Sequence, residues 1–158
     1  PRRGPGKPGF QWICDPHRRY DIIYDKSWKI VEQGSECLTM RLVDEGALVS
    51  QVTVTPLPPR AEAQTLSDFE EDIEKTLGQQ FGHLISASLS SRNDGTTLMR
   101  VASVGEAEGL AFHWIHYHLR SPEGQRLSLS FVVESTHFAR FSDADRQYLD
   151  GVDLTFKE

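Results

Sequence analysis

The chain of 158 residues is poor in the features that most often announce a function. It has only two cysteines, Cys14 and Cys37, too few for a disulfide-stapled scaffold and without any C-x-x-C spacing. One disulfide in an oxidising compartment and two reduced thiols in a cytosol are both compatible with that pair. Asn93 is the single asparagine and Gly95 stands two positions on, so no N-glycosylation sequon exists. Long apolar runs are missing too: Ala47-Leu48-Val49 and Phe131-Val132-Val133 are typical of what occurs, far short of a bilayer span. There is no G-x-S-x-G elbow, no Walker A and no H-E-x-x-H, which removes the local signatures of hydrolases, P-loop nucleotide enzymes and zincins.

Cations are scarce as well. The whole chain has 17 Lys plus Arg against 23 Asp plus Glu, a net charge of −6. Without Arg2, Arg3 and Lys7 of the first nine residues, 14 cations face 23 acids. The remaining cations are scattered along the sequence, and Arg18-Arg19 is an adjacent pair that reads as a strand flank. A nucleic-acid surface needs clustered cations, so nucleic acid is not an expected partner.

Pro1–Gly9 reads as a flexible tether, because Pro and Gly dominate and nothing there is apolar enough to bury. Gly4, Gly6 and Gly9 satisfy G-x-G-x-x-G literally. Pro5 and Pro8 lack the N–H groups a pyrophosphate would need, and no strand precedes, so the match carries no dinucleotide site. Residues 10–158 read as one domain, which the length and the 38% apolar content allow. The start at Pro1 rather than Met points to a processed or excised chain, and this domain is not expected to insert directly into a membrane.

Within that domain the patterning predicts strands at Asp21–Tyr24, Lys29–Val31, Cys37–Leu42 and Leu48–Thr55, the last ended by Pro56. Thr65 with Asp68 three residues on resembles a capped helix start. Leu66, Phe69, Ile73, Leu77 and Phe81 then fall on one face of a helix, opposite Glu70, Glu71, Asp72, Glu74 and Lys75, with Gly78 and Gly82 as stop signals. Further strands follow at Leu84–Ser90, Thr97–Val104, Leu110–Arg120 and Gln125–Glu134. Asn93-Asp94-Gly95 and Ser121-Pro122-Glu123-Gly124 supply turns, and Leu127, Leu129, Phe131 and Val133 alternate with polar residues. Ser142 with Asp145 reads as the start of a short helix to about Asp150, which also accounts for the Asp143/Asp145 pair as caps; Val152, Leu154 and Phe156 close the chain in extended form. Helices beside a mostly antiparallel sheet define an α+β domain.

Candidate site residues are few. In Phe112-His113-Trp114-Ile115-His116-Tyr117-His118, strand geometry puts Trp114, His116 and His118 on one face and His113 on the other. Two imidazoles at i and i+2 are a partial zinc or copper set; His83, His137 or a carboxylate would have to supply the rest. The plainer reading is a half-exposed sheet face carrying two histidines. Trp28 reads as a core anchor, while Phe10, Trp12 and Trp114 are candidates for an aromatic contact surface.

The segment Tyr24-Asp25-Lys26-Ser27-Trp28 resembles the Tyr-Pro-x-x-Trp corner near the start of the PsbP-like superfamily, with Asp25 where that family favours proline. The order of elements that follows, from about Tyr20 to an apolar ending at Val152–Phe156, is similar too. The resemblance implies an α/β/α sandwich whose central, mostly antiparallel sheet is flanked by one long helix and a short C-terminal helix. It implies a non-enzymatic protein-interaction or adaptor module of a bacterial type, with a protein partner, no cofactor, and a cell-envelope or periplasmic setting. The alternative drawn from the residues themselves is a small-molecule or metal-binding domain using the Trp114/His116/His118 face.

Overall fold

The computed structural model describes residues 8–154, so most of the Pro/Gly tether and the Thr155-Phe156 ending lie outside the described residues. The elements run β1 (Phe10–Cys14), β2 (Asp21–Asp25), β3 (Trp28–Gln33), β4 (Leu38–Asp44), β5 (Ala47–Leu57), α1 (Leu66–Leu77), β6 (Phe81–Ser91), β7 (Thr97–Ala107), β8 (Leu110–Arg120), β9 (Arg126–Glu134), α2 (Phe138–Phe141), α3 (Ala144–Asp150) and β10 (Val152–Asp153). Seven strands form an antiparallel sheet in the order β3-β4-β5-β9-β8-β7-β6, and β1-β2-β10 form a second, small sheet. The helix α1 lies over β6 and β7 on one face of the large sheet. The other face packs against α2, α3 and the small sheet. This is the expected α+β sandwich.

Strand alternation sorts the side chains between the two faces. Leu38, Met40, Val52, Val54, Ile115, Tyr117, Leu119, Leu127, Leu129, Phe131 and Val133 belong to one continuous core with Ile22, Phe141, Tyr148, Leu149 and Val152. Phe131, fully buried in the middle of β9, meets four rings edge-on. Trp28 lies at 5.9 Å, Tyr117 at 5.9 Å, Phe141 at 6.1 Å and Tyr148 at 5.6 Å between centroids. Edge-on rings at this spacing gain quadrupole attraction beyond the area they bury. Trp28 is thus the core anchor that the sequence suggests. The corner before it is closed by Asp25 Oδ1, which accepts from both Ser27 N and Ser27 Oγ at 2.8 Å. An Asx-type turn does there what a proline ring does by fixing φ.

The second core is small: Phe69 and Ile73 of α1 against Met99 and Val101 of β7, with Leu66, Leu77 and Ala87 at its margin. The cap is as expected, with Thr65 Oγ1 accepting from Asp68 N at 3.1 Å. Phe81, however, is not part of the helical stripe. Gly78 adopts φ +56° and stops α1 three residues earlier, and after a single 3₁₀ turn Phe81 opens β6. Gly82 is not a stop; it falls at a register shift inside β6.

Two other expectations need correction. Pro56 does not end its strand, because β5 pairs with β9 through Pro56 and Leu57. Pairing to β4 ends at Val54, so Pro56 sits where one side of β5 is open, a place where a missing N–H costs nothing. Ser142 and Asp145 do not cap α3. Ser142 stands at φ +53° and closes α2 by donating its N–H to Phe138 O, while Asp143 precedes α3 without a side-chain cap. Asp145 is buried and ties α3 to the sheet: its Oδ2 accepts from Arg100 Nε at 3.0 Å and from the Tyr117 hydroxyl at 2.5 Å. Burial, and then the neighbouring Asp145 carboxylate, push the Tyr117 phenol upward. Arg92 donates to the carbonyls of Leu149 and Val152 and so fastens the end of α3 to the β6–β7 turn. Cys14 and Cys37 are both half-buried free thiols.

Two stability outcomes follow. Truncating Phe131→Ala removes the ring against which four others pack, and chemical denaturation is expected to show a loss of about 3–5 kcal/mol. Asp145→Ala strands Arg100 in a largely buried position, and a loss of about 3–5 kcal/mol is expected from that uncompensated charge. A loss below about 1 kcal/mol in either variant contradicts the account of that contact.

Candidate functional site

The sheet face under α1 is only partly covered. Across β8 and β9 the register pairs His116 with Ser130, His118 with Ser128 and Arg120 with Arg126, so all six side chains rise on this face. The helix shields β6 and β7 and reaches β8 through Phe69, whose ring is 5.8 Å from the His118 imidazole. Beyond that contact a cleft of about 270 Å³ opens, lined by His116, His118, Arg126, Ser128 and Ser130 on its floor and by Arg60, Gln64 and Asp72 at its sides.

The wall that holds Arg60 is the connector between β5 and α1. Arg126 Nε donates to Pro58 O at 2.8 Å, and Arg120 NH2 donates to Ala61 O at 2.8 Å. Arg60 N and O both face Gly124 in the β8–β9 turn: the N–H donates to Gly124 O at 3.1 Å, and a Cβ at 124 would stand 2.8 Å from Arg60 O. Gly124 has φ +93°, so both its conformation and the close approach favour glycine. Three arginines therefore gather here. Among the described residues none of them forms an ion pair with a carboxylate. Arg126 has its guanidinium pushed downward by burial and by the like charges of Arg60 and Arg120.

The two imidazoles feel that field. His118 is 4% exposed, and its pKa is depressed to about 4 by burial and then by Arg126, Arg120 and Arg60. His116 is depressed to about 4 by burial alone. Both are neutral at pH 7. His118 Nε2 and His116 Nδ1 are buried and without a hydrogen-bond partner. A buried polar nitrogen left unpaired is costly, and each of the two imidazoles carries one. Among the described residues, no group of three His, Cys, Asp or Glu side chains stands ready for a metal ion. The surrounding guanidinium charge also works against a dication, since what keeps His118 unprotonated repels any other cation.

The remaining sequence candidates lie elsewhere. Trp114 shares the histidine face but is only 6% exposed, with its ring tilted against Phe112 at 5.8 Å. His113 points to the opposite face, where it stacks on Phe138 at 3.8 Å. Trp12 is 40% exposed and donates its indole N–H to Asp21 Oδ2 at 2.8 Å. Phe10 is half-buried and lines a separate cavity of about 500 Å³ between β1, β2 and α3, together with Trp28 and Tyr148. His116 and His118 are thus brought together with each other but not with Phe10 or Trp12. Sequence reasoning missed the arginines. The Ser121–Gly124 turn does set Arg120 opposite Arg126, but Arg60 is 60 positions from Arg120 in sequence and only the connector's path brings it in.

A second feature lies at the sheet edge. β6 is the terminal strand, 11 residues long, and Phe81–Ser91 contains no Lys, Arg, Asp, Glu or Pro. Ile85 and Leu89 are 54% and 61% exposed. The opposite edge, β3, carries Lys29 and Glu32 and a register shift.

Comparison with solved structures places this architecture. The chain resembles cyanobacterial PsbP (CyanoP) from Synechocystis sp. PCC 6803, with a TM-score of 0.71 at 14% identity over 98% of this chain and 97% of that one. It also resembles the Ran-binding protein Mog1p of Saccharomyces cerevisiae, with a TM-score of 0.62 at 9% identity over 93% and 96% of the two chains. A third likeness is to PA94, a protein of unknown function from Pseudomonas aeruginosa, with a TM-score of 0.60 at 11% identity over 94% and 96%. No protein-family model matches the chain, and no curated protein matches it significantly in sequence. The fold is PsbP-like, in agreement with the resemblance at the Tyr24–Trp28 corner.

The depressed imidazoles carry a pH signature. In the unfolded chain a histidine titrates near 6.5. Between about pH 6.5 and pH 4 the unfolded state therefore binds more protons than the folded one, and the stability linked to neutral His116 and His118 is complete above 6.5 and lost as pH falls towards 4. Urea denaturation across that range is expected to show the wild type losing on the order of 2–5 kcal/mol more than a His116→Gln/His118→Gln variant. Parallel pH profiles would mean that the imidazoles titrate normally.

Proposed function

We propose that this domain is a non-enzymatic protein-interaction module that takes up an extended segment of a protein partner along the open edge of β6. The observation that carries the reading is that edge itself. On the side away from β7 this strand of eleven residues has no neighbour, no charge and no proline; it is bulged at Phe81/His83 and Leu84/Ser86, and Ile85 and Leu89 are exposed. An unguarded edge of this length is normally blunted by lysine, proline or a covering loop, because it pairs with whatever extended chain it meets. Here β3 carries lysine and glutamate, whereas β6 is bulged in its first half but uncharged and in regular register from Ser86 to Ser91, an asymmetry that suits strand addition, in which main-chain bonds give affinity and alternate side chains give selectivity. The Ran-binding protein among the structural neighbours supports a binding rather than catalytic use of the fold, as an analogy only. Trp12, exposed on the small sheet, is proposed as an additional aromatic contact.

A second reading, small-molecule binding on the histidine face, is favoured by one observation: the cleft beside α1 with its unpartnered imidazoles.

The interaction reading is tested with a photo-crosslinking residue placed at Leu89 or, as control, at Val31, in the native host. The linked protein is then reconstituted with the purified domain. Amide exchange in the reconstituted complex is expected to slow across Phe81–Ser91. An Ile85→Lys/Leu89→Lys variant is expected to weaken binding about tenfold or more, while its stability stays within about 0.5 kcal/mol of wild type because both side chains are exposed. Protection confined to another surface, or concentration-dependent pairing of β6 with β6 in sedimentation as its sole association, would overturn it.

A further inference from the structure

The geometry points to a binding site for a small phosphate-class oxyanion in the cleft between α1 and the β8–β9 face, held by Arg60, Arg126, His116, His118, Ser128 and Ser130. This site is independent of the β6 edge and deepens the second reading above.

Four observations converge on an anion. First, the cleft gathers positive charge that the protein leaves without a counter-ion. Arg120 and Arg126 stand directly opposite each other across two strands, an arrangement that is unfavourable unless something negative sits with them. Arg60 is brought to the same place by the backbone contacts at Gly124, yet its own guanidinium makes no bond to a described residue. In a chain of net charge −6, with acids outnumbering cations, three arginines together with no ion-paired carboxylate are a departure from the rest of the surface. Secondly, His118 lines this cleft, is almost fully buried, and keeps an unpartnered Nε2, while His116 beside it keeps an unpartnered Nδ1. No protein atom pairs with either nitrogen.

Thirdly, the donors come from the floor and from one wall. Arg60 stands on the connector wall, the imidazoles on β8, and Arg126 with the two serine hydroxyls on β9. Donors on a floor and on a wall can meet different oxygens of a tetrahedral group, and arginine's fork pairs with phosphate oxygens two at a time. Fourthly, size limits the occupant. About 270 Å³ admits inorganic phosphate or a small phosphorylated molecule but not a dinucleotide.

The carboxylate in the lining, Asp72 on α1, is the group that would oppose an anion. It is an exposed side chain, and Gln64 Nε2 donates to its Oδ2 at 2.7 Å, which draws it towards the connector wall. The charges facing His118 are thus Arg60 from the connector, Arg120 from its own strand, Arg126 from β9 and Asp72 from α1. An anion seated among them reverses the local field, so His118 becomes easier to protonate when the site is filled. Binding and proton uptake are then coupled.

The test uses the whole chain and inorganic phosphate as probe, with succinate as a flat dicarboxylate and sodium chloride at matched ionic strength as controls. Calorimetry is expected to give saturable one-to-one binding of phosphate, displaced by sulfate, with succinate weaker and chloride without effect. Histidine side-chain NMR is expected to show the His118 titration moving to higher pH on saturation. Arg60→Gln is the diagnostic variant, since that guanidinium supports no part of the fold; it should weaken phosphate roughly tenfold or more. Arg126→Gln should weaken it as well, and circular dichroism separates that loss from any loosening of the connector. No saturable heat, or binding equal in Arg60→Gln and wild type, would overturn the site. So would tighter binding of succinate than phosphate, because that would make the ligand a carboxylate and the proposed class wrong.

Discussion

Phe131 is the contact on which the rest of this structure depends. It occupies the middle of the central strand β9 and receives rings from β3, β8, α2 and α3, elements that lie up to 120 residues apart in sequence. Each partner also has a second role. Trp28 carries the corner that starts β3, Tyr117 reaches the buried Asp145, Phe141 anchors α2, and Tyr148 donates its hydroxyl to Met40 Sδ at 3.1 Å. Fixing one ring therefore fixes the entry to the large sheet, both short helices and the layer that covers them. Native stability is a difference of only about 5–15 kcal/mol. A hub whose loss costs a substantial part of that sets whether the layers assemble at all.

The two faces of the sheet have been used differently. One is apolar from β4 through β8 and is covered there by α2, α3 and the small sheet. The other is apolar under α1, where Phe69 and Ile73 meet Met99 and Val101, and around Trp114 and Phe112, and it is polar beyond Phe69. A 12-residue helix is about 18 Å long and cannot cover seven strands. The uncovered part is where His116, His118, Ser128 and Ser130 stand, and the connector that delivers α1 to the sheet places Arg60 beside them. The open cleft is a consequence of how little of the sheet α1 spans. The exposed β6 edge has a related origin, because α1 lies on the face of β6 and leaves its outer backbone uncovered.

Much of the fold was legible because local rules and tertiary packing agree there. Period-two alternation marked β9, the Thr65 cap and its apolar stripe marked α1, and the Asn93–Gly95 turn marked the β6–β7 hairpin. Disagreement arose where a residue type has two uses. Phe81 fits the helical stripe by spacing, but Gly78 breaks the helix first. Pro56 signals a strand end in general, yet its open flank lets β5 continue. Asp145 near a helix start reads as a cap, whereas Arg100, 45 residues earlier, captures it. The face shared by Trp114, His116 and His118 was legible from strand geometry; the depth of each side chain was not, because cover comes from α1 and from neighbouring strands.

By itself the sequence determined the order of the elements from β2 to β9 and the short helix before the extended ending, but not β1 or α2; it also separated two faces of β8 and placed two histidines on one of them. Those are properties of nearest neighbours along the chain, set by side-chain period and turn chemistry. Tertiary structure alone decided that Arg60 joins Arg120 and Arg126, that His118 is buried and His116 half-buried with both neutral, and that β6 and β3 are the two edges of the sheet. Each of these turns on which distant segments meet. Charge, burial and edge status are relations between segments, and they come into being only when Phe131 and its four rings have drawn the layers together.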